Sequence, residues 1–322
     1  MTVDAFQSLG TVTAPSGALV LVDFGLLDLW SGEGAPRMPE WAAPPDVVAL
    51  ANGAVDYEVG GRDALHAVRH FGGASGRLYD RPSAFADTFA EARRAESWDA
   101  SLRALPRVSH AARVRHALSA GDAVTSFHGV GVVCLGDLPG GAMTVRGTRG
   151  PEDRWDIVEL VVRAGDVSGT RRLGHVAVDR ARLAFIDLEA MAAWEHHESL
   201  DGLADLVFWG RDAAVVAKKT GAATLTGGRY GWLDQPIARA VELEATITRL
   251  RRDVVVDSRP HSDHHRLLEP IRHSPTESAT VEVGGARVCG FMTTWGDGFF
   301  PAELDVDATG APLILRLRMA EL

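Results

Sequence analysis

The sequence predicts an α+β fold of two tandem related domains, each a mainly antiparallel β-sheet with one or two packed helices. The first reason is an internal repeat, because segment 10–30 matches segment 174–194 at a constant offset of 164 residues. The second is the length of 322 residues, which is long for one core and suits two domains of about 160 residues each. The third is that predicted strands and helices do not alternate regularly, which argues against a doubly wound parallel sheet.

The repeat continues beyond its first block in the same order, and its offset drifts by only a few residues, as insertions in loops would produce. The matched positions are Gly10 and Gly174, Leu19 and Leu183, Asp23 and Asp187, Trp30 and Trp194, 61–64 and 210–213, 80–82 and 234–236, 133–134 and 288–289, and 157–163 and 313–319. We therefore predict domains at 1–165 and 166–322, linked near 164–172. The alternative is coincidence among similar strand–turn patterns.

Local patterns predict the individual elements. Apolar and β-branched residues predict strands at 17–24 and 182–187, and a helix at 188–199 capped by Asp187 follows the second strand. Segment 31–45 is too rich in Pro and Gly for a helix and predicts a surface loop. The other predicted helices are 83–96, 108–119 and 236–252, and the other predicted strands are 130–136, 141–147, 155–163, 205–209, 213–217, 222–226, 279–283, 286–292, 300–306 and 312–318. A helix ending at Gly221 is the alternative for 210–221.

Composition and charge exclude several classes of function. A net charge of −10 argues against nucleic-acid binding, which needs clustered Lys and Arg. The sequence has no run of about 18 apolar residues that would predict a membrane-spanning helix, and MTVDAFQSLG does not resemble a secretory signal. We expect a cytoplasmic protein that binds neither membrane nor nucleic acid and whose acidic surface suits a basic protein partner.

The two cysteines, Cys134 and Cys289, lie at equivalent repeat positions within apolar segments. Free Cys is commonly a small buried core residue, so we predict one buried thiol in each domain. A disulfide or a reactive thiol is the alternative.

The sharpest local motif is Thr-Trp-Gly-Asp-Gly-Phe-Phe-Pro at 294–301. Its Asp-Gly dipeptide between apolar strands predicts a hairpin, because Gly accepts a positive φ without steric cost. One interpretation is a tight turn with Trp295 packed over it, and the other is a binding surface with Asp297 as ligand or base. The candidate binding residues are Trp295, Asp297, Phe299 and Phe300.

Segment 257–278 is polar and rich in histidine, and it predicts a long mobile loop. His and Asp are common metal ligands. The candidate ligands are His261, Asp263, His264 and His265. Their spacing reproduces no known metal motif, and adjacent His264 and His265 point in opposite directions in an extended chain. The His66 and His70 pair lacks a matching carboxylate. We therefore predict a solvated polar loop, no metal and no cofactor.

The end of the chain resembles an uncharacterised bacterial family, domain of unknown function 4241. Segment 293–319 carries its Gly-Asp-Gly, aromatic-Pro, strand, Asp/Gly turn and final apolar strand. The other similar segments are 16–23, 139–141 and 175–191. Phe300 and Met319 depart from the Tyr and Phe that are usual in the family. The resemblance implies a small β-rich bacterial protein without an established activity, associated with toxin–immunity loci.

No nucleophile elbow, P-loop or dinucleotide-binding glycine motif occurs in the sequence. The leading hypothesis is a non-enzymatic interaction module, an immunity-type or accessory protein that binds a bacterial partner. The alternative is a metal-assisted hydrolase that uses the histidine-rich segment 261–265.

Overall fold

The computed structural model describes residues 6–36, 49–52, 55–72, 82–127 and 129–320. These residues form a mixed α+β fold with antiparallel sheets, which confirms the predicted α+β class. The predicted loop at 31–45 is described only as far as residue 36, and residues 80 and 81 of the repeat lie outside the described ranges.

The strands of the first half are β1 (Gln7–Val12), β2 (Leu19–Val22), β3 (Ala49–Asn52), β4 (Val55–Gly60), β5 (Ser101–Pro106), β6 (Val124–Phe127), β7 (Val130–Leu135), β8 (Met143–Arg149) and β9 (Trp155–Val161). Those of the second half are β10 (Gly169–Val178), β11 (Arg182–Asp187), β12 (Leu203–Trp209), β13 (Ala223–Thr224), β14 (Tyr230–Pro236), β15 (Val255–Pro260), β16 (Ser278–Val283), β17 (Ala286–Met292), β18 (Gly298–Val306) and β19 (Pro312–Arg318). The helices are α1 (Ala64–Gly72), α2 (Pro82–Ala95), α3 (His110–Ala120), α4 (Ala213–Thr220), α5 (Ile237–Arg249) and α6 (Asp263–His273).

Two six-stranded sheets enclose the main core. The first has the order β1-β8-β9-β19-β18-β10, and the second has the order β16-β17-β11-β2-β7-β6. Large side chains from both sheets, among them Trp155, Phe185 and Phe300, are fully buried between them. A second apolar cluster lies on the other face of the second sheet, where Val114 of α3 and Leu267 of α6 pack.

The strand order of each sheet is symmetric about its centre. In chain order, β1, β8 and β9 are matched by β10, β18 and β19, and β2, β6 and β7 are matched by β11, β16 and β17. At the centre of the second sheet, Leu21 of β2 lies opposite Phe185 of β11, and these residues are 164 positions apart. Each sheet therefore takes three strands from each half, and the division into domains at 1–165 and 166–322 stays a prediction.

Two buried aspartates, Asp23 and Asp187, join the halves across this centre. Asp23 Oδ2 accepts hydrogen bonds from the backbone N–H groups of 179–180, at 2.9 and 2.7 Å. Asp187 Oδ2 accepts one from the Ser16 N–H (2.9 Å) and one from the Ser16 hydroxyl (2.7 Å). The offset of 164 makes Pro15 equivalent to the first residue of 179–180. Because Pro has no N–H, the hydroxyl takes the place of the second backbone donor.

Each half also contributes a smaller sheet, β3-β4-β5 in the first half and β13-β14-β12-β15 in the second. The two share one turn geometry. Asp63 N–H donates to Asp99 O (3.0 Å), and Asp212 N–H donates to Asp253 O (3.1 Å). In return, Asp99 N–H donates to Asp63 Oδ2 (2.8 Å), and Asp253 N–H donates to Asp212 Oδ2 (3.2 Å). The second of these sheets positions the candidate site.

Most predicted strands and the helices at 83–96, 108–119 and 236–252 are confirmed to within a few residues. For 210–221 the alternative holds, since α4 occupies the segment predicted as a strand at 213–217 and ends at Gly221 with φ 74°. The prediction of an α-helix at 188–199 is wrong. Asp187 does cap the N–H groups of Glu189 and Ala190, but only a 3₁₀ turn follows, because Trp194 is extended (ψ 118°) and buried.

The long loop predicted at 257–278 is also wrong, because this segment forms the end of β15 and the whole of α6. Ser262 caps the helix and accepts the His265 N–H at 3.3 Å. Leu267, Leu268 and Ile271 supply its buried face. The many polar residues obscured this amphipathic pattern, as did Pro270, which lies inside the helix.

The predicted Asp-Gly hairpin at 297–298 does not form, because β17 and β18 belong to different sheets. The turn instead carries the chain from one sheet of the sandwich to the other. Its left-handed residues are Thr294 (φ 60°) and Gly296 (φ 82°).

Cys134 and Cys289 are buried free thiols, as predicted. Burial raises the pKa of each thiol to about 12. Within the described ranges, no helix is both long enough and apolar enough to cross a membrane.

Candidate metal centre

Asp205 lies at an irregularity between two strands. The register of β12 against β14 shifts between Ala204 and Leu206, so that residues 233–234 of β14 bulge outward. Asp234 has a left-handed backbone (φ 53°), and its N–H donates to Asp205 Oδ1 at 2.9 Å instead of joining the strand ladder. Bulges re-aim nearby side chains, and this one fixes a carboxylate that is only 9% exposed.

His261 follows β15 and is held on both sides through its backbone. Its N–H donates to Leu203 O, and its carbonyl accepts from Leu200 N–H, both at 3.1 Å. In the side chain, Nδ1 lies 3.0 Å from Asp201 Oδ2, and Nε2 lies 3.2 Å from Asp205 Oδ1. The ring is therefore oriented by one carboxylate and directed at the other.

His265 lies in the first turn of α6, next to the Ser262 cap. Its Nε2 is 3.4 Å from Asp205 Oδ2. The His261 and His265 rings stack with centroids 5.6 Å apart and planes 16° from parallel. The end of β15 and the start of α6 thus present two imidazoles to the same carboxylate.

The three donor atoms of Asp205, His261 and His265 all lie within 4.8 Å of one another. They lie in the wall of an open groove of about 520 Å³, which we call the metal groove. The other residues that line it are Asp234, Arg266, Glu269, Pro270, His273 and Val281. Within the described residues this is the one such cluster of His, Cys, Asp and Glu side chains.

The donor separations suit a transition metal. A tetrahedral ion with bonds near 2.0–2.1 Å places neighbouring ligand atoms about 3.3–3.4 Å apart. In comparison, Asp205 Oδ1 lies 3.2 Å from His261 Nε2, and Asp205 Oδ2 lies 3.4 Å from His265 Nε2. A His₂–carboxylate set is typical of Zn²⁺ and Fe²⁺ sites. The Asp201–His261 contact supplies the outer carboxylate that commonly orients a metal-binding imidazole.

Electrostatics in the metal-free groove favour ion pairs. Burial alone would raise the pKa of Asp205, but hydrogen bonds from His265, the Asp234 N–H and His261 lower it to about 2. The His261 hydrogen bond lowers the pKa of Asp201 to about 2. Burial lowers the pKa of His261, yet its two carboxylate partners outweigh this effect and raise it. A bound metal must displace the Nε2 proton of His261, so metal affinity rises with pH.

The four candidate ligands predicted from the sequence separate into two pairs. His261 and His265 face the metal groove, whereas Asp263 Oδ2 accepts the Glu195 N–H at 3.0 Å. His264 turns away and stacks on His196, with centroids 4.1 Å apart. The cause is the helix, which rotates adjacent residues by about 100° instead of alternating them as an extended chain would.

The turn residues predicted to bind a partner are mostly occupied within the fold. Trp295 Nε1 donates to Trp155 O at 2.6 Å, and Asp297 Oδ1 accepts the Ala181 N–H at 2.8 Å. Phe300 is fully buried in the core and is not available at the surface, whereas Phe299 is 69% exposed. A binding role for this turn stays a prediction, with Phe299 as its accessible residue.

Sequence reasoning did not identify Asp205, Asp201 or Asp234 as site residues. One signal was present for Asp205, because it is the single charged residue in the apolar run LADLVFW. A carboxylate in a buried strand needs a partner. The partners lie 56 and 60 residues later in the chain, and only the fold brings them together.

Comparisons with protein-family models, with curated proteins and with solved structures found no match to this chain. The resemblance of 293–319 to domain of unknown function 4241 therefore stays a prediction.

Proposed function

We propose that the protein binds a divalent transition-metal ion through Asp205, His261 and His265 and uses it for hydrolytic chemistry. The observation that carries the proposal is the convergence of two imidazoles, separated by a strand end and a helix cap, on one almost buried carboxylate. Zn²⁺ is the first choice, because nitrogen and carboxylate donors at tetrahedral spacing suit it.

The open side of the groove favours a reactive site over a structural one. Structural zinc sites are closed by four protein ligands, whereas catalytic ones keep a position for water or substrate. When bound, the ion would act as a Lewis acid that lowers the pKa of a coordinated water. Asp234 is a further carboxylate in the groove, with Oδ1 3.9 Å from His261 Nε2 and a side chain 75% exposed. It is placed to accept a proton from a group in the groove.

The test is metal binding by the untagged protein after removal of metals with a chelator. Isothermal titration with ZnCl₂ should give one site per chain with a Kd in the micromolar range or below. The variants His261→Gln and His265→Gln should each weaken binding at least tenfold. His273→Gln is the matched control, because His273 lines the same groove but is outside the triad, and its affinity should equal that of the wild type.

Hydrolysis is measured separately with p-nitrophenyl acetate as a probe ester. Zinc-loaded wild type should hydrolyse it faster than the metal-free protein, and His265→Gln should remove the difference. Absence of stoichiometric zinc binding, or equal binding by all three histidine variants, would overturn the metal site. Zinc binding without any zinc-dependent hydrolysis would leave a metal site and refute the hydrolytic role.

A second candidate is the interaction module that the sequence suggests. It is favoured by large apolar side chains at the surface, among them Phe299 (69% exposed) and Val241 (59% exposed). The wild type would retain a protein partner that binds at Phe299 or at Val241. The variant Phe299→Ser or Val241→Ser, whichever alters the surface used, would lose that partner. Retention by both variants would count against these surfaces.

A further inference from the structure

A second cavity borders α6 next to the metal groove and shares His265 with it. It has a volume of about 560 Å³, and we call it the arginine pocket. Its lining residues are Arg182, His196, His197, Asp257, Ser258, Arg259, Pro260, Ser262, His264, His265, Leu268 and Arg272. Three guanidinium groups face a single carboxylate there, although the chain as a whole carries a net charge of −10.

The single carboxylate is already used by one of the arginines. Arg259 Nε donates to Asp257 Oδ2 at 2.6 Å, and Arg259 Nη1 lies 3.5 Å from Glu269 Oε2. The same Glu269 oxygen lies 3.6 Å from Arg272 Nη1. Asp257 therefore pairs with Arg259, and Glu269 lies between Arg259 and Arg272. Neither carboxylate is within ion-pair distance of Arg182.

Arg182 is the arginine of the pocket without an ion pair, and the carboxylates of Asp23 and Asp28 act on it only from beyond 4.0 Å. It makes no ion pair within 4.0 Å with any carboxylate of the described residues, and its buried Nε has no hydrogen-bond acceptor among them. Its guanidinium carbon lies 5.4 Å from the ring centroid of Phe24, which holds the side chain in place. A buried donor without an acceptor destabilises the folded state.

Arg182 and Arg272 repel each other through their positive charges. Burial lowers the pKa of Arg182, the negative charges of Asp23 and Asp28 oppose that change, and the positive charges of Arg180 and Arg272 lower it further. Burial likewise lowers the pKa of Arg272. Because arginine stays protonated in proteins, an anion bound in the pocket would reduce this repulsion, whereas loss of a proton would not.

We propose that the arginine pocket binds the phosphate group of a small molecule, with Arg182 and Arg272 as its charged donors. The planar guanidinium matches phosphate geometry, and the volume is ample for a phosphate and an attached organic group. The stacked rings of His196 and His264, 4.1 Å apart, form one wall against which that group would lie. This site is independent of the proposed metal site, although His265 lines both cavities.

The test is isothermal titration of the metal-free protein with inorganic phosphate and with phenyl phosphate, at constant ionic strength. Both should bind with a stoichiometry of one. The variants Arg182→Gln and Arg272→Gln should each weaken binding at least tenfold. The control is Arg239→Gln, on the exposed side of α5, which should bind as the wild type does. Arg182→Lys keeps the charge but loses the planar fork, and it should fall between the wild type and Arg182→Gln.

The two probes distinguish the source of the phosphate. Tighter binding of phenyl phosphate by tenfold or more would indicate a phosphate ester, and equal affinities would indicate the free ion. Urea unfolding of each variant establishes that it is folded, and Arg272→Gln alone decides the outcome if Arg182→Gln does not fold. The proposal would be overturned if neither inorganic phosphate nor phenyl phosphate binds at 10 mM. Binding that needs zinc and is lost in His261→Gln would also overturn it, because the anion would then lie on the metal.

Discussion

Asp187 offers a quantitative test of how the two halves are held together. Its four short hydrogen bonds come from the Ser16 N–H (2.9 Å), the Ser16 hydroxyl (2.7 Å), the Glu189 N–H (2.9 Å) and the Ala190 N–H (3.1 Å). The side chain is 2% exposed. The substitution Asp187→Asn keeps the shape but replaces one acceptor oxygen by an NH₂ group.

The orientation of the new amide sets the minimum loss. If NH₂ replaces Oδ1, the N–H groups of Glu189 and Ala190 both lose their acceptor. If it replaces Oδ2, only the Ser16 N–H does, because the Ser16 hydroxyl can rotate to accept. At least one hydrogen bond to a charged group is lost, worth about 1.5–3 kcal/mol, and the others become neutral. We expect Asp187→Asn to lower the free energy of unfolding by about 2–4 kcal/mol.

The assay is urea unfolding followed by tryptophan fluorescence, with the free-energy change taken from the shift in midpoint at a common slope. Asp179→Asn is the control. The Asp179 side chain is exposed and only its backbone N–H bonds to Asp23, so the loss should stay under about 0.5 kcal/mol. Ser16→Ala combined with Asp187→Asn should lose less than the sum of the single changes. A loss below 1 kcal/mol for Asp187→Asn, or an equal loss for Asp179→Asn, would refute the reasoning.

Three further outcomes are expected. Burial raises the pKa of the Cys134 and Cys289 thiols to about 12. These thiols should therefore not react with a disulfide reagent at pH 8 until urea unfolds the protein. Modification of the native chain would contradict their burial. Asp201→Asn should weaken zinc binding by about 10–100-fold while leaving the stoichiometry at one, and an unchanged Kd would show that Asp201 does not orient His261. Burial lowers the pKa of His196 to about 4. Below pH 6.5 the folded state therefore binds fewer protons than the unfolded state, and the free energy of unfolding decreases as the pH falls below 6.5. His196→Gln should reduce the loss of stability between pH 7 and pH 5 by about 1 kcal/mol, a value that allows for the solvent-exposed part of the ring. If the wild type and His196→Gln show identical pH profiles in urea unfolding, His196 does not contribute to the pH dependence of stability.

The fold class was predictable because it depends on local patterns. Alternating apolar residues identified β7, β8 and β9, and the apolar segments 17–24 and 182–187 identified β2 and β11. The arrangement of the strands was not predictable, since sequence similarity between halves does not say whether each half folds on itself. In this chain both sheets draw on both halves.

The candidate site was predictable only in part. The histidines attracted attention by composition, but their pairing depended on where α6 begins, and a cap such as Ser262 is a weak signal in a segment rich in polar residues. Asp205 and Asp234 meet through a shift in strand register, which no local pattern encodes. The arginine pocket has the same origin, because Arg182, Arg259 and Arg272 come from three elements.

The symmetric strand order has a consequence for assembly. A half chain would expose the edges of β2 and β9, which in the intact protein pair with β11 and β19 of the other half. Because those partners are the counterparts of β2 and β9 themselves, a half chain is its own complement. Expressed alone, it should associate as an isologous homodimer about a two-fold axis. In such a dimer every surface feature would occur twice, whereas the metal groove is formed by residues of the second half only. When both halves belong to one polypeptide, the second half can carry a site that the first half lacks, while both halves still supply strands to the two shared sheets.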